Sequence, residues 1–356
     1  MSFISVNTYQ FRNLVDGETE LGDPRIFLIG ENGQGKTNFL EVLYLLSFGS
    51  SFRGKQEKSL PLQGCSSFAL RGIQNGAFGP TSLALKWNSN KKEIRMDETL
   101  IKDRKDLLSL RPTILFSHED FLIVKGEPEN QRTFFDQTLA FLDPIFLDNL
   151  RSYRKVLRNR NIILKNGDDF SLDIYDQQLV DLGMVLKQRR KALVEECNLL
   201  FEPIFEEISE GIKVKILYIP SWKDEDSTKT LSLLKTKRPI DRQMNITTSG
   251  PHRDRFRFMR DGKNFSETAS TGQIRLISLV LKLVQAHLGA KASGKKPTLL
   301  LDDVLLELDP VKRRNFFNQL PEADQAVFTF LPEENLPFTT GGGMIYSVKN
   351  GKLNKR

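Results

Sequence analysis

Eight residues near the start of the chain, Gly30-Glu31-Asn32-Gly33-Gln34-Gly35-Lys36-Thr37, carry the spacing G-x-x-x-x-G-K-[ST]. Those residue types suit one task. Glycines let a loop wrap a phosphate with its backbone N–H groups turned inward, and the positive end of a following helix adds to the attraction. Lys36 would neutralise the β- and γ-phosphates, and Thr37 would ligate Mg²⁺. The flanks agree, because Arg25 to Gly30 (RIFLIG) reads as a buried strand and Lys36 to about Phe48 as a helix. A glycine-rich turn without a ligand has no need of the Lys-Thr pair. The spacing predicts a nucleoside triphosphate bound by Gly30, Glu31, Asn32, Gly33, Gln34, Gly35, Lys36 and Thr37.

A second group is Thr298-Leu299-Leu300-Leu301-Asp302-Asp303. The leucine run predicts a buried parallel strand, whose carboxyl end delivers acids to a phosphate crevice. Asp302 is placed to hold Mg²⁺ through water. Asp303 is the candidate to orient or deprotonate an attacking water, with Lys36 as the other catalytic residue. Alone, a strand ending in an acidic turn carries little; beside the phosphate loop it carries much.

Ala269-Ser270-Thr271-Gly272-Gln273 lies upstream of that acid pair. A hydroxyl, a glycine and a helix start make a second helix end suited to anions. The run resembles the L-S-G-G-Q signature loop of the ATP-binding-cassette superfamily. There the loop faces the γ-phosphate of the opposite protomer, so the resemblance assigns Ser270, Gly272 and Gln273 to the nucleotide of a second copy. Downstream, Glu307-Leu308-Asp309 resembles the superfamily's D-loop, which crosses the same interface and brings in Asp309.

The elements that must position these groups fall into three stretches. Before about residue 120, FISVN reads as an edge strand, FALRGI and TSLALKW as meander strands, and TILF as a short apolar strand. From Pro128 to Ile208 turn residues nearly vanish. Tyr175, Leu179, Leu182, Leu186, Leu193, Cys197, Leu200 and Ile204 recur at helical spacing, as one long helix or two split near Gly183 or Pro203. Such a stripe is bundle core more often than a ligand site. The segment from Ser221 to Thr247 is polar, with short elements and loop. After Gly250 strand and helix alternate again: DRFRFM, a helix from Gly272 to Leu288, TLLLDD, a helix from Val311 to Leu320, QAVFTF, and GMIYSVKNGKL as a terminal strand. The expected architecture is α/β: a discontinuous cassette-type ATPase head over 1–120 and 241–356, interrupted by a mainly helical lobe over 121–240.

Several further runs fit one family. Phe11-Arg12-Asn13, ENGQGKTNFLE (Glu31 to Glu41), Ser51-Phe52-Arg53, LFSHEDF (Leu115 to Phe121), VKGEPENQRTFFD (Val124 to Asp136), LRNRNIILK (Leu157 to Lys165), Gly250-Pro251-His252-Arg253-Asp254 and LLLDDVLLELD (Leu299 to Asp309) cover the chain nearly end to end. Together they resemble the RecF family, bacterial DNA replication and repair ATPases related to SMC proteins. The resemblance implies ATP and Mg²⁺ as cofactors, an ATP-dependent homodimer, and duplex, gapped or single-strand-junction DNA as ligand. It also implies RecR with RecO as partners upstream of RecA loading and the SOS response, with slow hydrolysis in the cytoplasm. Local departures exist. Ser117-His118-Glu119-Asp120 stands for the family's Ser-Pro-Glu-Asp, Leu306 replaces the usual serine, and Thr329 occupies the place of the transporters' switch histidine.

Arg151 to Lys165 carries basic residues and no acid, and Arg151, Arg154, Lys155 and Arg158 share a helical stripe suited to phosphates along a nucleic acid. Lys187, Arg189, Arg190 and Lys191 form a second cluster. A solvated face is the plain alternative for either. His118, His252 and His287 read as hydrogen-bonded structural residues and not a metal set.

The 356 residues hold 52 Lys and Arg against 45 Asp and Glu, a net charge of +7 that suits a polyanionic partner. Two cysteines, Cys65 and Cys197, make no disulfide framework and point to a reducing compartment. The start lacks a signal-peptide layout, and no apolar run is long enough to span a membrane. A transporter's cassette subunit would share the phosphate and signature motifs, but it predicts a switch histidine and no basic helical insertion. A small-molecule kinase leaves Ser270 and Asp309 unexplained, and a non-hydrolysing scaffold would need Asp303 misplaced.

Overall fold

A computed structural model describes residues 2–54, 57–76, 79–88, 91–110, 112–166, 169–305, 308–332 and 342–356. The chain opens with strands β1 (Phe3–Tyr9), β2 (Gly17–Glu20) and β3 (Arg25–Ile29), then helix α1 (Lys36–Phe48). Four strands follow, β4 (Ser67–Gly76), β5 (Gly79–Asn88), β6 (Lys91–Met96) and β7 (Thr99–Leu100), before α2 (Arg104–Leu110) and β8 (Thr113–Phe116). Four helices come next: α3 (Leu122–Lys125), α4 (Pro128–Leu142), α5 (Pro144–Asn166) and α6 (Asp169–Ile208). Then β9 (Lys215–Ile219), α7 (Ser227–Thr236), α8 (Arg238–Met244), β10 (Arg255–Arg260), β11 (Lys263–Asn264), α9 (Phe265–Thr268) and α10 (Thr271–Ser293) lead back. The last elements are β12 (Thr298–Leu301), α11 (Pro310–Asn318), β13 (Gln325–Phe330), β14 (Met344–Lys349) and β15 (Lys352–Lys355).

Two compact units result, Met1–Glu119 with Gln285–Arg356, and Asp120–Val284. The second unit runs well past the expected limit at 240. The cause is strand pairing: β10 lies antiparallel to β9, from Arg255↔Ile219 to Met259↔Lys215, which ties the stretch after Gly250 to the helical unit.

The first unit holds two sheets. One has the order β15-β14-β3-β13-β12-β8, parallel except for the β14/β15 hairpin. Strands β12 and β13 are buried along their whole length, as inner strands of a parallel sheet are, with Gln325, Thr329 and Thr298 as their polar members. Because β3, β13 and β12 run in one direction, Gly30, Thr329 and Asp302 finish at the same edge. The other sheet, β2-β1-β4-β5-β6-β7, is antiparallel. There β1 is paired on both sides, so FISVN is an inner strand and not the expected edge strand; the polar GETE segment, too hydrophilic to read as a strand, returns beside it. Helix α1 sinks Phe39, Leu40, Leu43 and Leu46 into a core with Phe68, Leu85, Ile26 and Val327. The expected single terminal strand is a hairpin, because Asn350 (φ 49°) and Gly351 (φ 76°) take successive left-handed conformations between β14 and β15.

In the second unit α4, α5 and α6 pack together, with β9 and β10 against the same helices. The long helical stretch is three helices, and α6 is one helix of 40 residues without a break at Gly183. A side chain at Gly183 would collide with the Trp222 indole, so this glycine serves close packing and not helix termination. The polar stretch after Ser221 folds as α7 and α8. Among the described residues no helix is long and apolar enough to cross a membrane.

Candidate functional site

The phosphate-type loop links β3 to α1. Gly35 (φ 112°) occupies the cap position in a left-handed conformation that a β-carbon would strain. Gly30 is required differently: a β-carbon there would strike the Val348 carbonyl of β14. The side chains of Asn13 and Gln34 brace the loop. Asn13 Nδ2 donates to the Gly33 carbonyl at 3.0 Å, and the Asn350 N–H donates to Gln34 Oε1 at 2.7 Å.

Lys36 is buried and folds back over the loop. Its Nζ donates to the Gly30 carbonyl at 2.7 Å and the Glu31 carbonyl at 3.4 Å, and stands 3.7 Å from Asp303 Oδ2. Thr37 Oγ1 donates to Asp302 Oδ1 at 2.9 Å. Thr329, at the end of β13, joins the two acids. Its hydroxyl lies 3.1 Å from Asp302 Oδ1 and 2.9 Å from Asp303 Oδ1, and accepts from the Asp303 N–H at 2.8 Å. Asp303 itself is left-handed (φ 50°), a conformation costing about 1–2 kcal/mol outside glycine, which turns its carboxylate toward Lys36. Burial pushes the Asp302 carboxyl above the usual carboxylate range, and the neighbouring Asp303 charge acts in the same direction. A cation here would reverse that shift.

Around these groups lies a cavity of about 220 Å³ lined by Glu31, Asn32, Gly33, Gly35, Lys36, Thr37, Asn38, Arg53 and Asp303. Its lining brings Glu31, Asn32, Gly33, Gly35, Lys36 and Thr37 of the loop together with Asp303, while Gly30, Gln34 and Asp302 are not part of it. Arg53 and Asn38 are additions to the lining. Their signals were in the text of the chain, Arg53 in Ser51-Phe52-Arg53 and Asn38 directly after Thr37, but nothing local says that they meet this cavity. An adjoining cavity of about 390 Å³ shares Asn38 and takes in Arg12, Asn13 and Lys58. Among the described residues no cluster of three or more His, Cys, Asp or Glu converges as a metal cage.

Asp309 caps α11, accepting from the Lys312 N–H at 2.9 Å and pairing with its ammonium at 2.5 Å, which holds the carboxyl below its usual range. Leu306 and Glu307 lie outside the described residues.

Within the second unit Ser270 and Gln273 form a reciprocal cap at the start of α10. The Ser270 N–H donates to Gln273 Oε1 at 2.8 Å, and the Gln273 N–H to Ser270 Oγ at 3.2 Å. Ser270 and Gly272 are exposed, and a β-carbon at Gly272 would meet nothing within 4 Å. Arg151, Arg154, Lys155 and Arg158 are exposed along α5. Arg151 lies 3.5 Å from Asp148 and Arg154 3.8 Å from Asp136.

The second basic cluster divides. Arg190 is buried, forked onto Asp136 at 2.9 and 3.0 Å and bonded to Asp254 Oδ2 at 2.8 Å. Lys187 is also buried, donating to the Asp224 carbonyl at 2.5 Å. These two hold the unit together; Arg189 and Lys191 remain at the surface. From the first stripe's neighbourhood Arg160 is fully buried on Asp176 (2.6 Å) and Asp241 (2.8 Å). His252 is structural as expected. Its Nε2 donates to the Thr247 carbonyl at 2.9 Å, so Nδ1 accepts from the Tyr153 hydroxyl at 2.7 Å. His287 bonds the Gln319 carbonyl at 2.9 Å. Cys197 is buried, and burial raises its thiol to about 12, which leaves it unreactive.

No protein-family model matches the chain. Individual proteins do. The DNA replication and repair protein RecF of Treponema pallidum (strain Nichols) is 40% identical over 326 residues, 91% of this chain and 92% of that protein. RecF of Leptospira interrogans serogroup Icterohaemorrhagiae serovar Lai (strain 56601) is 31% identical over 353 residues, 96% of each. Among solved structures, the recombination mediator protein RecF-ATP in the RecFOR pathway superposes with a TM-score of 0.91 at 28% identity, covering 100% of this chain and 97% of that one. The Smc head domain of Pyrococcus furiosus shares the fold alone, at a TM-score of 0.58 and 13% identity. The fold is that of a cassette-type ATPase head, and nothing in these likenesses supports a transporter subunit. By sequence and by structure this chain belongs to the RecF family of DNA replication and repair proteins.

Proposed function

We propose that this protein is an ATP-driven DNA-binding switch of recombinational repair. One observation carries the reading: an ammonium, two hydroxyls and two carboxylates, from the ends of β12 and β13 and the start of α1, gather at a cavity that Lys36, Thr37 and Asp303 line together with the glycine-rich loop. ATP binds with its phosphates against Gly30–Thr37; the solved relative is named as a RecF-ATP structure, which supports ATP as the ligand. On binding, the Lys36 ammonium exchanges the Gly30 and Glu31 carbonyls for phosphate oxygens. Mg²⁺ fits the oxygen donors of Thr37 and Asp302, a hard-ligand pair already in contact that leaves the remaining positions to phosphate and water. When bound, the ion supplies neutralisation of phosphate charge. Asp303, held by Thr329, orients a water for slow in-line attack.

Two copies close over two nucleotides, each phosphate tail meeting the partner's Ser270, Gly272, Gln273 and Asp309. The open space beside Gly272 supports this, since its own chain makes no demand for a glycine there. The coupling is a population shift: ATP gains these contacts only in the dimer and so favours it. The closed dimer grips duplex or gapped DNA through Arg151, Arg154, Lys155 and Arg158, whose exposure suits phosphate contacts. RecR and RecO act with it upstream of RecA, in the cytoplasm, where free Cys65 and Cys197 are at home.

Fluorescence anisotropy on gapped duplex across a salt series tests the reading, with ATP, ADP and no nucleotide. ATP should give the tightest binding. Equal affinity in all three states would overturn the switch.

A further inference from the structure

Glu41 lies on α1 just beyond Lys36 and Thr37, and none of it reaches solvent. A carboxylate in that position is costly unless it is paired and hydrogen-bonded. Arg12 supplies a fork, Nε to Oε2 at 3.0 Å and Nη2 to Oε1 at 3.1 Å. The Ser51 hydroxyl donates to Oε1, and Arg53 Nη1 stands 3.8 Å from Oε2. One anion thus faces two cations. One carboxylate against two guanidiniums leaves the cluster a net positive charge, and Arg53 makes the longer contact of the two.

Arg53 presents positive charge to the phosphate cavity, whose wall it forms beside Lys36. Its own position is set by the same cluster. The Arg53 N–H donates to Ser51 Oγ at 3.0 Å, and Nη1 donates to Asn38 Oδ1 at 2.6 Å. Asn38 Nδ2 donates to Asn13 Oδ1 at 2.7 Å, and Asn13 reaches the Gly33 carbonyl. A relay therefore runs from Glu41 to the backbone of the glycine loop. Arg12, on the other side of Glu41, lines the adjoining cavity that shares Asn38.

We infer that Glu41 is a positioning residue: its buried carboxylate holds Arg53 in the wall of the phosphate cavity and Arg12 in the wall of its neighbour. The inference rests on the reading of that cavity as a phosphate site. A free arginine on the short 51–53 loop would sample many rotamers, and each anion bound would have to freeze them. Anchoring removes that cost beforehand and aims a planar fork at the ligand. A mere clasp for α1 would also hold Arg12, but it would not require Arg53 to share the same carboxylate and the same serine.

Titration of a fluorescent ATP analogue into the full chain decides the matter, comparing wild type, Glu41→Gln, Arg53→Ala and the double variant, with melting curves alongside. Each single change should weaken binding about tenfold, and the double should stay within about twofold of Arg53→Ala, because both remove one interaction. Additive losses near a hundredfold, or unchanged affinity in Glu41→Gln, would overturn the inference. Should Glu41→Gln fail to fold, Ser51→Ala cuts the same cluster at a half-buried point and should weaken binding about threefold. A nucleotide-free crystal structure of whichever variant folds separates this claim from the reading beneath it. There Arg53 should leave Asn38 and the cavity wall, and an unmoved Arg53 refutes the positioning role. A wild-type protein that binds no ATP would instead refute the nucleotide reading.

Discussion

Thr37 and Asp302, 265 residues apart in the chain, share a hydrogen bond of 2.9 Å. The bond exists because β3 and β12 lie in one parallel sheet, which places the residues following both strands at the same edge. On the function proposed above, this pair would hold Mg²⁺.

Asp302→Asn should therefore uncouple nucleotide affinity from Mg²⁺. In wild type, chelating the metal should weaken binding of a fluorescent ATP analogue about tenfold or more; in the variant the difference should nearly vanish. Asp303→Asn should bind ATP normally and release phosphate roughly a hundredfold more slowly. Lys36→Met should weaken binding outright. An Asp303→Asn protein that hydrolyses at the wild-type rate would remove Asp303 from the chemistry.

Ser270→Arg places a bulky cation on an exposed helix start. It also loses a cap contributing about 1 kcal/mol, too little to unfold the protein. Monomer nucleotide binding should survive, while light scattering should show no ATP-dependent dimer. A variant that dimerises normally would sink the shared-nucleotide arrangement.

Arg190 and Arg158 look alike in the chain and should behave oppositely. Arg190→Met leaves Asp136 and Asp254 buried without their cation, and urea unfolding should show a loss of about 3–5 kcal/mol. Arg158→Ala should melt like wild type yet reduce the salt slope of DNA binding by about one. Equal melting curves for both variants would contradict the buried pairing.

Burial lowers the His252 pKa to about 4 from an ordinary 6.5, so the folded protein keeps this ring neutral. The unfolded chain takes up the proton first as pH falls. The stability this contributes is complete above about pH 6.5 and is lost progressively down to pH 4. Between pH 7.5 and 5.0 the loss is about 2 kcal/mol. Urea midpoints at those two pH values should fall further for wild type than for His252→Gln, which has no such proton. Parallel pH profiles for the two proteins would refute the buried neutral ring.

The glycine loop was legible because its whole mechanism is contiguous: strand, turn, lysine, hydroxyl and helix follow one another within the range of local sterics. The acid pair was legible as a strand end, and Ser270 as a helix start. Burial of Arg190 and Lys187 was not, since Lys187, Arg189, Arg190 and Lys191 are alike as letters and only Asp136, Asp254 and Asp224 distinguish them. The inner position of β1 escaped for a similar reason: its second partner is a short polar segment without a strand's pattern.

From the chain alone come the chemistry of the loop and the parallel strands that serve it, which are properties of neighbouring residues, and the excess of positive charge, which is a sum over composition. Tertiary structure alone decided that Thr329 ties Asp302 to Asp303, that Glu41 gathers Arg12 and Arg53, and that two basic residues of four are core. Those outcomes depend on which distant segments share a sheet edge or a buried charge. The free energy of pairing a charge away from water belongs to the pair and is written in neither residue by itself.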